Sequence, residues 1–131
     1  MREIKFDFVW KNPKGGSFIH SYHTLEEIMG GNHYDEMSYN DMLKNYVLHA
    51  KRRFSGLKDK NRKDIYEDDI ISNENDWGLN NKVVIFKYGK FGYEYAGGEF
   101  ECLYYDDDIM TDDIEIVGNI YEHPELLGQD E

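Results

Sequence analysis

A mainly-β fold, an antiparallel barrel or sandwich with one or two short helices, is predicted by three features of this 131-residue chain. Aromatic residues make up 15%, with 11 Tyr and 7 Phe, and planar rings pack better on a pleated surface than along a helix. Apolar and polar residues alternate at the N-terminus with period two. Glycine-marked turns recur roughly every 8 to 12 residues. A chain of this length is read as a single domain, residues 1–131, able to bury a core without disulfide or metal staples.

The elements follow in order. Ile4, Phe6 and Phe8 alternate with Lys5 and Asp7, which predicts a half-buried strand reaching Trp10. Asn12-Pro13-Lys14-Gly15-Gly16 breaks it, and Phe18, Ile19 and Tyr22 predict a returning strand, so residues 1–23 form a hairpin. Thr24 followed by Glu27 is a capping box ahead of Leu25, Ile28 and Met29, and Gly30-Gly31 ends that helix after about two turns. Residues 32–45 are polar and poorly patterned, with a second candidate cap at Ser38. From Tyr46 to Phe54 the periods conflict: a helical reading fits Met42 to Ala50, whereas Tyr46, Leu48, Ala50 and Phe54 fit a strand interrupted at Arg52. A short helix or irregular segment to Asn45, then a strand, is the expectation.

The stretch from Phe54 to Ile71 combines strand and turn chemistry most densely. Lys58 to Lys63 is a tight polar loop in which Asn61 is the expected left-handed residue. Ile65-Tyr66 is a short strand, Glu67-Asp68-Asp69 a sharp acidic turn, and Ile70-Ile71 starts the next strand. Beyond an Asn-rich loop, Lys82–Tyr88 and Phe91–Tyr95 flank Gly89-Lys90 as the clearest hairpin. Phe100–Tyr105 is a further strand, and Ile114, Ile116 and Ile120 close the sheet before Pro124 stops it. The sharp turn into Ile70-Ile71, followed by the Val83–Tyr95 hairpin, resembles an SH3-like barrel core.

Three segments carry a family resemblance. GLKDKN (Gly56–Asn61) ahead of IYEDDI (Ile65–Ile70), MREIKF at the start, and EIVGNIYEHPELL (Glu115–Leu127) together resemble the YopX family of phage and prophage proteins. The match spans the chain. The family pattern has glycine where Arg62 and Asp68 stand, so the resemblance implies modest strain at Asp68 and, with Arg62 present, the left-handed position at Asn61. It also implies a phage or prophage origin, and nothing about biochemistry.

The net charge of −12 is unevenly placed. From Phe91 onward there are 13 acids and no base, whereas the first 90 residues carry 14 acids and 15 bases. Lys51–Lys63 holds seven bases and one acid. Lys58, Lys60, Arg62 and Lys63 are therefore a candidate binding loop, and Asp106, Asp107, Asp108, Asp112 and Asp113 a candidate acidic surface. These can face each other within a subunit, between subunits, or stand as separate solvated surfaces.

Other motifs are weaker. His20, His23 and the nearby His33 suggest metal, but residues three apart on a strand point to opposite faces, so no metal site is expected. Counting from Asp106, an EF-hand loop would need glycine at Thr111 and glutamate at Val117, and calcium is not expected. Cys102 is the single cysteine, which excludes an internal disulfide and suits a reducing cytoplasm; it reads as a buried, inert thiol. No glycine pattern matches a nucleotide-binding fingerprint, so neither cofactor nor enzymatic activity is expected. No apolar run is long enough for a membrane span. The C-terminal charge argues against nucleic acid as a partner. The resulting expectation is a non-enzymatic, self-associating structural or binding module of the bacterial host cytoplasm, a homo-oligomer with a possible host or phage protein partner. The alternative is an acidic nucleic-acid mimic or nucleic-acid-associated accessory protein.

Overall fold

A computed structural model describes residues 4–30, 46–73, 81–95, 97–105, 108–109 and 113–127. The chain divides into two compact units, Met1–Phe54 and Ser55–Glu131. Both are built of short antiparallel strands, so the mainly-β expectation holds.

In the first unit, β1 (Lys5–Lys11) and β2 (Phe18–Thr24) form the predicted hairpin, with Lys5 opposite Thr24 and Lys11 opposite Phe18. Its turn is organised by Asn12, whose side-chain oxygen accepts from the Lys14 N–H at 2.9 Å while its own carbonyl accepts from Gly16, where φ is 72°. The capping box forms as the sequence predicts. The Thr24 N–H donates to Glu27 Oε1 at 2.8 Å and the Glu27 N–H to Thr24 Oγ1 at 3.1 Å, at the head of α1 (Leu25–Gly30). The opposite edge of β1 pairs with β3 (Val47–Lys58), with a register shift between Val9 and Trp10. β3 resolves the periodicity conflict after residue 46 in favour of strand; the helix considered up to Asn45 lies outside the described residues. β3 also runs through Gly56, whose φ of 87° is accommodated within the strand instead of ending it.

The face of β1 turned inward is the opposite of the expected one. Asp7 and Val9 are fully buried, Phe6 and Phe8 only half-buried, and Ile4 is 55% exposed. An acid can take the inner row only if a partner compensates its desolvation, and Arg52, opposite Asp7 in β3, does so.

In the second unit the end of β3 pairs with β4 (Asp64–Tyr66) across the 59–63 loop. β5 (Asp69–Ser72) lies between β6 (Lys82–Val83) and β12 (Glu115–Asn119), and β8 (Lys90–Glu94) between β7 (Ile85–Lys87) and β9 (Phe100–Cys102). A two-stranded ladder, β10 (Tyr104–Tyr105) with β11 (Asp108–Ile109), and a 3₁₀ turn at Pro124–Leu126 complete it. Leu57, Ile65, Ile71, Val84, Phe91, Tyr93, Leu103 and Ile114 form one buried apolar cluster.

Three expectations need correction. The strand expected over Phe100–Tyr105 is broken at Leu103, whose N–H bonds the Phe91 carbonyl, leaving β9 and β10 as separate strands. The strand expected over Lys82–Tyr88 is broken at Val84, whose N–H and C=O bond to Asp69 and Asp68, so β6 joins β5 while β7 turns away to join β8. The antiparallel barrel is not found: among the described residues the strands form separate sheets without closure. The hairpin itself stands, but its tip is Tyr88-Gly89 and not Gly89-Lys90, since Lys87 pairs with Lys90; both tip residues are left-handed (φ 56° and 75°), which matches the right-handed twist of the flanking strands.

Candidate functional site

The basic loop is a turn built around one buried carboxylate. Asp59 is 4% exposed. Its Oδ1 accepts from the N–H groups of Asn61 and Lys63, both at 2.9 Å, and its Oδ2 accepts from the Ile116 N–H at 3.0 Å. The Lys60 N–H bonds the Ile114 carbonyl at 2.8 Å, so the loop is fastened to the chain around β12. The left-handed residue is Arg62 (φ 67°), not Asn61. With the Asn61 N–H committed to Asp59 Oδ1, the reversal falls one residue later, on Arg62, at the backbone cost that any Cβ carries there.

The four basic candidates are not equivalent. Lys58 Nζ pairs with Asp64 at 2.6 Å and Lys60 Nζ with Glu115 at 3.6 Å. The second pair joins the basic loop to the acidic C-terminal third within one chain. Arg62 and Lys63 are exposed. Such solvated pairs contribute roughly 0–1 kcal/mol each, and their acids weaken the loop's field for an anionic ligand. Of the acidic candidates, Asp113 is exposed and Asp108 sits in β11; Asp106, Asp107 and Asp112 lie outside the described residues, as does His33.

His20 and His23 fall on opposite faces of β2, as their spacing requires. His20 Nδ1 is 2.7 Å from Asp7 Oδ2, on the inner row. His23, 7% exposed, stands on the other, where its Nε2 is 2.9 Å from Ser21 Oγ, itself accepting from Trp10 Nε1–H at 3.0 Å. Among the described residues no three metal-ligating side chains converge. Cys102 is half-buried at the end of β9, opposite Gly92, rather than fully buried. No described helix is long and apolar enough to cross a membrane.

Sequence reading missed the densest polar cluster. Arg52 Nε and Nη2 both donate to Asp7 Oδ2, at 2.8 and 2.6 Å, beside His20; Asp7 Oδ1 is buried without a hydrogen-bond partner. The signal was the break in β3 alternation at Arg52: an arginine in an inward register needs an acid in an inward register. The guanidinium on Oδ2 makes a charge-assisted pair that both side chains need in order to be buried. The cluster is therefore a structural fastener between β1, β2 and β3.

In the second unit a surface depression of about 280 Å³ is lined by Asn81, Lys82, Val83, Ile85, Glu94 and Leu127. Glu94 is held by Lys87, whose ammonium is pushed above its ordinary pKa by that hydrogen bond. Exposed aromatics are the more distinctive feature: Tyr88 is 76% and Phe86 38% exposed, with Tyr88 edge-on to Phe100 at 5.7 Å and Phe86 against Phe91 at 4.7 Å.

A family model described as YopX protein matches residues 9–128. No curated protein matches the chain.

Proposed function

The chain belongs to the YopX protein family, and from that premise we propose that it is a non-enzymatic, phage- or prophage-encoded structural or binding module. It acts in the cytoplasm of the bacterial host and associates with copies of itself. One observation carries the reading. Tyr88 occupies a left-handed turn position that Asn, Asp or Gly would take at lower strain, yet presents a ring that is 76% exposed. A strained, solvent-facing aromatic at a hairpin tip is the anchor expected of an interface. The nearby Phe86 widens the apolar area available to a second copy.

Light scattering across protein concentration, at low and high salt, tests this. A concentration-dependent oligomer is expected, and Tyr88→Asn, which suits the turn, should weaken it by at least about tenfold. A chain that stays monomeric at high concentration in low salt overturns the reading. A second reading, an acidic mimic of nucleic acid that occupies a basic host or phage protein, draws on the 13 acids and no bases from Phe91 onward. Co-purification of a basic protein, released by salt, would favour it.

A further inference from the structure

The β7–β8 hairpin is basic in a chain that turns acidic beyond it. Residues 82–90 carry three lysines and no acid, whereas the chain from Phe91 onward carries 13 acids and no base. Lys87 stands directly opposite Lys90 across the ladder, a like-charge pair that works against the hairpin itself. Phe91 and Tyr93 are buried in the apolar cluster, so Lys90, Gly92 and Glu94 take the outer face of β8. On that face a Cβ at Gly92 would lie 2.8 Å from Phe100 Cζ, so the missing side chain lets the Phe100 ring lie over the strand. Tyr88 meets Phe100 edge-on at 5.7 Å, and Lys87 Nζ sits 5.2 Å from the Tyr88 ring centroid. The tip is thus a ring, 76% exposed, between two cations. Lys90 is exposed, and Lys87, though tied to Glu94, keeps 42% of its side-chain surface in solvent.

We infer that this tip docks on the acid-rich surface of a second copy, in a head-to-tail contact. The inference rests on the self-association proposed above and names the surface that receives Tyr88. Two tips related by a two-fold axis would set Lys87 and Lys90 against their own counterparts, so the tip is not complementary to itself. Its complement lies elsewhere in the same chain, where Asp113 and Glu125 are exposed acids in a stretch without a single base. Opposite charge selects that surface and sets the register, while the ring supplies the buried area. A contact between two different patches leaves one of each open at the ends, so assembly continues past the dimer until it closes on itself.

The test is sedimentation velocity of the full chain with a trace of fluorescently labelled wild-type protein. In low salt the labelled species should grow beyond a dimer as concentration rises, and about 1 M salt, which screens charges within about 3 Å, should shrink it. Lys90→Glu should weaken association at least about tenfold and flatten its salt dependence. That change sets opposite charges across the ladder at Lys87 and should not harm the fold; circular dichroism melts check this, and Lys90→Gln decides the matter should Lys90→Glu fail to fold. Tyr88→Asn removes the ring but keeps the acidic surface. Added in rising amounts to a fixed wild-type concentration, it should cap the assemblies and lower the sedimentation coefficient of the labelled chain. No effect of the added variant, or assembly that stops at a dimer, means a two-fold contact and overturns the inference while self-association stands. So does association that Tyr88→Asn weakens but that ignores both salt and Lys90→Glu. A chain that stays monomeric throughout removes both readings. If that monomer binds a labelled oligonucleotide and loses it with Lys90→Glu, the tip belongs to nucleic acid instead.

Discussion

Arg52 reaches across from β3 to place both Nε and Nη2 on a single oxygen of Asp7, at 2.8 and 2.6 Å, from a position 45 residues away in sequence. Both side chains are almost wholly shielded from solvent, so neither charge is supportable alone. Asp7→Ala should therefore cost about 3–5 kcal/mol, because it strands the guanidinium in the interior. Replacing both at once with apolar residues of similar volume should recover most of that loss. Urea denaturation of the single and double variants measures the difference; additive losses would show that the two residues do not depend on one another.

Asp59 ties three backbone N–H groups, two in its own loop and one at Ile116. Asp59→Ala leaves all three without their acceptor and should destabilise the second unit by about 3 kcal/mol. Asp59→Asn can keep the Oδ1 bonds but has no second acceptor for Ile116, so an intermediate loss is expected. Hydrogen exchange should report the effect at Asn61, Lys63 and Ile116 before the rest of the unit; uniform exchange would count against the loop acting as a fastener.

Arg62 and Asp68 both sit at positive φ, 67° and 71°, yet their replacement by glycine should differ. Arg62→Gly relieves backbone strain and should stabilise the chain by about 0.5–1 kcal/mol. Asp68→Gly gives up the 2.6 Å bond donated by the Tyr121 hydroxyl, which offsets the relief. In a Tyr121→Phe background that offset is gone, and Asp68→Gly should then be stabilising. Thermal melts of the four variants check the pattern.

Gly92 is required by close approach, not by turn geometry. A Cβ there would lie 2.1 Å from the Glu101 carbonyl oxygen across the β8–β9 ladder, whereas one at Gly97 would meet nothing within 4 Å. Gly92→Ala should cost at least about 2–3 kcal/mol, and Gly97→Ala should be near neutral. Equal midpoints in urea would contradict the placement of β8 against β9.

Features that depend on neighbours in sequence were legible before any coordinates. The reciprocal Thr24–Glu27 cap and the Asn12 turn need only residues within five positions of each other, and the left-handed Gly89 needs only its own missing side chain. The polar loop before Ile65 was recognisable for the same reason. Its left-handed residue was not, because Asn61 and Arg62 are ordered by the side chain of Asp59, itself pinned by Ile116, 57 residues on. The candidate site was read in part: the basic side chains were identified, but Asp64 and Glu115, the acids that hold Lys58 and Lys60, emerge only when the chain is folded.

Thus composition and local pattern alone determined a mainly-β chain, its hairpins and its first helix cap, since strand propensity and turn geometry are short-range properties. Tertiary structure decided which side of β1 faces inward and where the strand after Lys82 changes sheet. Period two marks two faces but does not say which is inside. That choice went to the face whose buried acid finds an arginine on a distant strand, leaving Phe6 and Phe8 on the wetter side.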